Sequence, residues 1–202
     1  MRFLFYLVAL GISFVMIAGC AAPRLMSSKT SVEFDLGQKK LASDDRFAIH
    51  VEPLATGKSI SDPYVVGEAK IGAFNVRDPI RSDEPLNIIL TNLLRKAFSE
   101  AGFKLEEKEK AQYVLSGQVD RFWVEEYATG WSPEYAKASV RFDLIIKNRE
   151  GKFVWVNTIE ASHRSEVSID ATEHDIATLL TAAKKSIESI FKNESFWKSI
   201  VK

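Results

Sequence analysis

Between Tyr113 and Ala161 apolar and polar residues alternate along three successive stretches, and this pattern restricts the fold more than any other part of the chain. Ala138, Val140, Phe142, Leu144 and Ile146 occupy every second position. A period of two is that of a strand with one buried face. Asn148-Arg149-Glu150-Gly151 supplies turn residues. Phe153, Trp155, Asn157, Ile159 and Ala161 continue the alternation on a return strand. Upstream, Tyr113, Leu115, Gly117 and Val119 share one side. The phase then breaks, because Phe122 and Val124 are apolar with Trp123 between them. A bulge or a sheet edge near Asp120-Arg121 accounts for that shift. The three segments read as a long antiparallel meander with one apolar face to cover.

Two helical patterns supply the cover. Leu86, Ile89, Leu90, Leu93, Leu94, Ala97 and Phe98 recur at helical spacing, and Gly102 stands where a helix ends. Ser82-Asp83-Glu84-Pro85 reads as the start signal, with a capping hydroxyl or carboxylate and an early proline. The second stripe is Ile176, Leu179, Leu180, Ala183, Ile187, Ile190 and Phe191. Asp170 or Thr172 caps it, with Glu173 or Asp175 completing a capping box. Phe196, Trp197 and Ile200 dock as a final short helix. Phe47 to Val51 is a strand ended by Pro53, and Val32 to Leu36 alternates as a short edge strand. Tyr64–Gly67 and Lys70–Val76 are short extended pieces bent at glycines, and Phe103–Leu105 is another. The expected fold is α+β: a two-layer sandwich with a mostly antiparallel sheet and two amphipathic helices on one face. Residues 46–202 make one domain.

The N-terminus has a different character. Arg2 precedes an uncharged apolar run from Phe3 to Ala18. The run is short for a spanning helix, which needs about 20 apolar residues, and it fits the charged and apolar regions of an export signal. It ends in Ile17-Ala18-Gly19-Cys20. A branched apolar residue, two small residues and a cysteine resemble the lipobox of bacterial lipoproteins. Small residues let the backbone enter a narrow protease site, and the thiol accepts the diacylglyceryl group. Cleavage between Gly19 and Cys20 is therefore expected, with residues 1–19 as signal peptide and lipid on Cys20 as the link to the membrane. Two or three acyl chains anchor stably, whereas one binds marginally. Ala21 follows where, in Gram-negative bacteria, an aspartate signals inner-membrane retention. Its absence favours an outer-membrane lipoprotein facing the periplasm. Residues 20–45 then read as a flexible tether, averaging about 25–30 Å end to end.

Cys20 is the only cysteine, so the mature chain forms no internal disulfide. Cleavage leaves 183 of 202 residues, enough for one well-cored domain. Arg2 is the one charged side chain lost, so 27 Lys and Arg become 26 against 27 Asp and Glu. That balance argues against nucleic acid as a partner.

Catalytic patterns are not found. His50 and His163 fall in strands and His174 in the first turn of the last helix, with no metal-ligand spacing between them. There is no Gly-x-Ser-x-Gly elbow and no phosphate loop. No cofactor or metal is expected, and the chain reads as a non-enzyme. The aromatic cluster Trp123, Tyr127, Trp131 and Tyr135 is the suggestive surface feature. Its plainer explanation places Trp123 in the core and pairs Tyr127 with Tyr135 across two strands. Trp131, between Gly130 and Ser132-Pro133, is a candidate contact with a partner or with lipid, together with Tyr127 and Tyr135.

A layout now stands out. Val65-Val66-Gly67 is followed by the apolar helix Leu90 to Gly102 closing on Ala101-Gly102-Phe103. Next come Ala111-Gln112-Tyr113-Val114-Leu115-Ser116-Gly117 and a strand turning at Asn148–Gly151. This resembles the YajG-like lipoproteins and the auxiliary lipoproteins of ABC-type transport systems. The N-terminal domain of the TolB translocation protein has a similar helix-then-strand arrangement. The resemblance implies an α/β sandwich facing the periplasm and, for the transport group, a role in moving lipids between membranes. On this reading the chain is a protein-binding accessory of an envelope transport or assembly system. The alternative is binding of a small ligand, a phospholipid or a cell-wall fragment.

Overall fold

The long meander is present and extends further than its alternation. The computed structural model describes residues 25–27, 32–37, 47–71, 76–129, 132–166 and 171–200. In chain order the elements are β1 (Leu25–Met26), β2 (Ala48–Val51), β3 (Ala55–Thr56), β4 (Val65–Ile71), β5 (Val76–Ser82), α1 (Leu86–Glu100), β6 (Lys104–Leu105), β7 (Tyr113–Thr129), β8 (Ser132–Asn148), β9 (Phe153–Glu166), α2 (Ala171–Lys192) and α3 (Glu194–Ile200). The fold is α+β, with one nine-stranded sheet among the described residues.

Strand β7 is the axis of this sheet. One edge pairs antiparallel with β8 along its whole length, and β8 pairs antiparallel with β9. The other edge is shared by three short parallel partners: β2 at Tyr113–Leu115, β3 at Gln118–Val119 and β4 at Val124–Glu125. Strand β5 pairs antiparallel with β4, β1 parallel with β5, and β6 parallel with β2. The long ladders are thus antiparallel and the short junctions parallel, so the sheet is mixed.

The phase break in β7 is a register irregularity between Val119 and Arg121. Leu115 and Val119 before it, and Phe122 and Val124 after it, are all buried. An extra residue there returns the apolar set to the core side. The turn from β8 to β9 closes as its residues suggest: Gly151 has φ 79° and its amide donates to the Asn148 carbonyl at 2.9 Å.

Helices α1 and α2 pack against the sheet. Leu86, Leu90, Leu94, Ala97 and Phe98 of α1 and Leu179, Ala183, Ile187 and Ile190 of α2 are buried. Gly102, at φ 95°, ends α1 in the left-handed region, which only glycine adopts without strain. The expected side-chain cap at Ser82 or Asp83 is not formed. Pro85 occupies the N-cap, and the first amide, Leu86 N–H, donates to the Pro63 carbonyl at 2.8 Å. The Ser82 hydroxyl donates instead to the Glu84 carbonyl at 2.6 Å. Helix α2 starts at Ala171, and the side chains proposed to cap it at 170 and 172 lie outside the described residues.

Aromatic rings fill the space between the helices and the meander. Phe98 has ring centroids of Phe191 and Phe103 at 5.0 and 5.1 Å, both edge-on. Phe196 of α3 meets Trp155 of β9 at 5.5 Å and Trp197 at 5.1 Å. The final short helix therefore closes the core.

Two expectations change. The glycines suggest two separate pieces near 64–76, but β4 is continuous through Gly67, and a strand over 76–82 adds a hairpin partner. Pro79 hid β5, because a proline inside a run argues against a strand. Val32–Leu36 is not a strand. The Asp35 amide donates to Glu188 Oε1 at 2.6 Å, and Lys192 Nζ lies 3.4 Å from Asp35 Oδ2. Side chains of α2 thus take the place of a ladder partner, while Val32 and Leu36 are buried. An amide of Gly37 and then Lys192 hold the Asp35 carboxyl below its usual range.

One close approach is a test of the meander. A Cβ built on Gly117 would lie 2.0 Å from the Asp143 carbonyl oxygen of β8. The backbones must separate to admit it, and overpacking of this kind costs about 1–3 kcal/mol. Gly117→Ala is expected to lower the thermal midpoint by several degrees, read by circular dichroism; an unchanged midpoint would show that the two strands are looser than described.

Candidate functional site

The bulge that corrects the phase of β7 also shapes the outer surface. Phe122 turns into the core and Trp123 turns out, half-buried, on the opposite side of the sheet from Phe122. The core position considered for Trp123 is thus corrected, since one extra residue at Asp120 exchanges the two faces beyond it. Around Trp123 lies a cleft of about 430 Å³. Its apolar wall is Ile60, Val65, Leu86, Phe122 and Trp123. Asp62, Glu68, Asp120 and Arg121 add charge at its rim.

Local bonds hold the loop that forms the other wall. Gly57 N–H donates to the Val119 carbonyl at 2.8 Å, and the Ser59 hydroxyl donates to the Asp120 carbonyl at 2.8 Å. The residues around the bulge therefore bond the loop where the regular ladder is interrupted. Asp62 caps the turn into β4 by accepting the Tyr64 amide at 2.9 Å and pairs with Arg81 at 3.3 Å. A second recess of about 490 Å³ adjoins the bulge and carries Lys58, Arg121 and Arg141 with Gln118 and Asp120. A cleft with apolar side chains and charges of both signs at its edge can accept an amphipathic molecule.

The other expected site residues are placed as follows. Tyr127 and Tyr135 face each other across β7 and β8, with centroids 4.8 Å apart and planes 11° from parallel. The guanidinium of Arg164 on β9 lies over the Tyr135 ring at 3.7 Å. The plainer cross-strand explanation for this pair thus matches the geometry. Gly19, Cys20 and Trp131 lie outside the described residues.

Three groups were not legible as a set. Ser165 on β9 has His174 Nε2 at 2.9 Å and Thr178 Oγ1 at 2.5 Å, both on α2. Thr178 in turn donates to the His174 carbonyl at 2.7 Å. This network ties the first turns of α2 to β9. His163 Nδ1 lies 3.1 Å from Lys185 Nζ, and burial followed by the Lys185 charge lowers its pKa. Ser165 and His174 are nine residues apart, and only the docking of α2 brings them together. His50 is elsewhere, with Nδ1 2.9 Å from the Glu106 carbonyl oxygen. Among the described residues no group of three His, Cys, Asp or Glu side chains could hold a metal ion.

Glu126 was also missed. It follows Phe122 and Val124 in phase, so its carboxylate points inward and is fully buried. Its Oε2 accepts the Lys70 amide at 2.6 Å, and its carbonyl accepts Arg77 Nη1 at 3.2 Å. A charged residue late in an alternating strand gives no sign of facing inward until the bulge fixes the phase.

No protein-family model matches the sequence, and no curated protein sequence matches it. Solved structures do share the architecture. A Xanthomonas campestris protein assigned to the family DUF330 is 14% identical, with TM-score 0.56 over 87% of this chain and 94% of that one. A minor lipoprotein from Acinetobacter baumannii is 13% identical, with TM-score 0.43 over 76% of this chain and 95% of that one. A PelC dodecamer from Paraburkholderia phytofirmans is 20% identical per chain, with TM-score 0.41 over 75% and 88%. The chain is thus similar in fold to the Xanthomonas protein, and fold alone transfers no activity.

Proposed function

We propose that this chain is a non-enzymatic, lipid-anchored lipoprotein of the bacterial envelope that serves a transport or assembly system by binding a protein partner. The observation that carries the reading is the N-terminal sequence. An uncharged run from Phe3 to Ala18 ends in Ile17-Ala18-Gly19-Cys20, and Cys20 is the chain's one cysteine. Ala21 at the next position supports the outer membrane and its periplasmic face. The partner is an envelope protein, because a lipid-anchored domain meets little else. The resemblance to YajG-like lipoproteins and to ABC-type transport auxiliary lipoproteins points to the same class of job.

A second reading has one observation in its favour. The cleft at Trp123, of about 430 Å³, falls within the range of about 300–1,000 Å³ common for small-molecule sites. Its apolar lining suits the acyl part of a phospholipid better than a neutral glycan. Crosslinking whole envelopes with the native anchor in place, then purifying the chain, separates the two. A recurrent envelope protein in the crosslinked product is the expected result. Recovery of stoichiometric lipid with no protein partner would sink the leading reading and leave the second.

A further inference from the structure

We infer that the anchored domain stands on one end of its sheet, with the ends of β4, β5, β7, β8 and β9 that surround Val76, Tyr127 and Tyr135 facing the bilayer. The inference rests on the reading that Cys20 carries lipid, and it adds which surface of the domain then meets the membrane.

The register defines that end. Ile71 of β4 pairs with Val76 of β5, at the close of their hairpin. Strand β4 runs parallel to β7 with Gly67 opposite Val124, so Ile71 is level with Ala128. Tyr127 pairs with Tyr135, and Tyr135 pairs with Glu166 at the end of β9. Five strands therefore terminate at one level. The opposite end of the meander is the turn at 149–151.

The anchor can reach only one of these ends. Leu25 pairs with Arg81 and Met26 with Ser82, in parallel, so Met26 is fully buried at the edge of the sheet. The domain thus begins five residues after Cys20. Five residues span at most about 18 Å. Strand β5 rises about 17 Å from the level of Arg81 back to Val76. Because β1 runs parallel to β5, the chain enters it from the Val76 side. The other end is out of range: from Phe122, level with Arg81, back to Tyr113 β7 covers about 30 Å. A tether of about 25 flexible residues would have left orientation open. Pairing at Leu25 leaves only five residues of chain from the anchor to the sheet.

The chemistry of the near end suits an interface with lipid. Val76 is an apolar side chain left 55% exposed at the hairpin's edge. The stacked Tyr127–Tyr135 pair is half-buried, and aromatic rings with polar tips favour the headgroup level. Arg77 and Arg164 are exposed beside them and can meet headgroup phosphates. Glu166 lies at the same level, so the surface has no strong single-sign charge. Anchor length and the apolar and aromatic groups set the orientation, with charge secondary.

The test uses the lipidated chain itself. Lipidation blocks the Cys20 thiol, so an introduced cysteine is the one site for a fluorophore. Val76→Cys and Glu166→Cys place the label at the near end, and Glu150→Cys and Lys152→Cys place it at the far end. All four side chains are exposed, so either member of a pair serves if the other folds poorly. The labelled proteins are reconstituted in phosphatidylethanolamine–phosphatidylglycerol vesicles containing a lipid with a quencher on its headgroup. Flotation with the vesicles is scored first. Labels at 76 and 166 are expected to be quenched several-fold more than labels at 150 and 152. Flotation with equal quenching at both ends, or stronger quenching at 150, would overturn the orientation alone. A chain that does not float would overturn the lipid anchor and this inference with it.

Discussion

Cys20→Ser is expected to reduce incorporation of labelled palmitate into the chain to background. Cys20 is the only thiol, so no second residue can take the diacylglyceryl group. The loss should also change the form of the protein found in the cell. Without the thioether the lipoprotein cleavage before Cys20 has no substrate. The product is then an uncleaved precursor or a soluble chain, and not a mature membrane-bound one. The effect is close to all-or-none, because membrane affinity grows by about 0.8 kcal/mol for each buried methylene and two or three chains are removed together. Fractionation with intact-mass measurement checks it. The folded domain should be unaffected, since its described elements start at Leu25, C-terminal to Cys20. If Cys20→Ser remains in the membrane fraction, processed as before, the lipoprotein reading is wrong.

Phe98→Ala should have the largest effect on stability. The side chain is fully buried on α1, and Phe103, Phe191 and Phe196 surround it edge-on. Those rings come from the helix's own exit, from α2 and from α3, so Phe98 joins three elements that β7 alone does not hold. Truncation removes the transfer energy of a ring and leaves a cavity that three aromatic neighbours cannot fill without leaving their rotamers. Phe→Ala changes of this type cost about 3–5 kcal/mol, against a total of about 5–15 kcal/mol for a typical domain. Urea unfolding is expected to show the midpoint falling by at least about 1 M, at the usual slope of about 1–3 kcal/mol/M for small proteins. A loss below about 1 kcal/mol would mean that α3 repacks into the space, and that the aromatic cluster is less rigid than its geometry. Phe98→Leu, which keeps most of the volume, should recover much of the difference.

These two changes act on separate properties. Cys20 sets where the domain is held, and Phe98 sets whether it stays folded. Between them lies the segment 25–37, whose role the sequence disguised. Its residues are small, polar or isolated in type, and they read as a tether. Yet Met26 is fully buried and Leu36 nearly so, and Asp35 is bonded to Glu188 and Lys192 across more than 150 positions of chain. The alternation at Val32–Leu36 suggests an edge strand, and nothing in it points to helix side chains as the partners. The partners of this segment are brought within reach only when β5 and α2 are already in place.

Much of the rest was legible because it depends on local periods. Alternation at Ala138–Ile146 and Phe153–Ala161 forces one face inward whatever the partner, and β8 and β9 follow it. The stripe Leu86–Phe98 ending at Gly102 specifies α1 and its stop for the same reason, since the geometry repeats every 3.6 residues. The lipobox is likewise a local motif, read by enzymes that see an extended chain. Local pattern along the chain thus specifies the meander, the two main helices, the apolar core and the candidate lipid attachment. Packing fixes which way β7 faces beyond Asp120, and so places Trp123 at a cleft and Glu126 inside. It also makes β4 and β5 a hairpin despite Pro79, brings Ser165 to His174, and buries Met26 and Leu36. Each of these turns on how elements dock, and the free energy of docking belongs to the assembled fold and not to any window of residues.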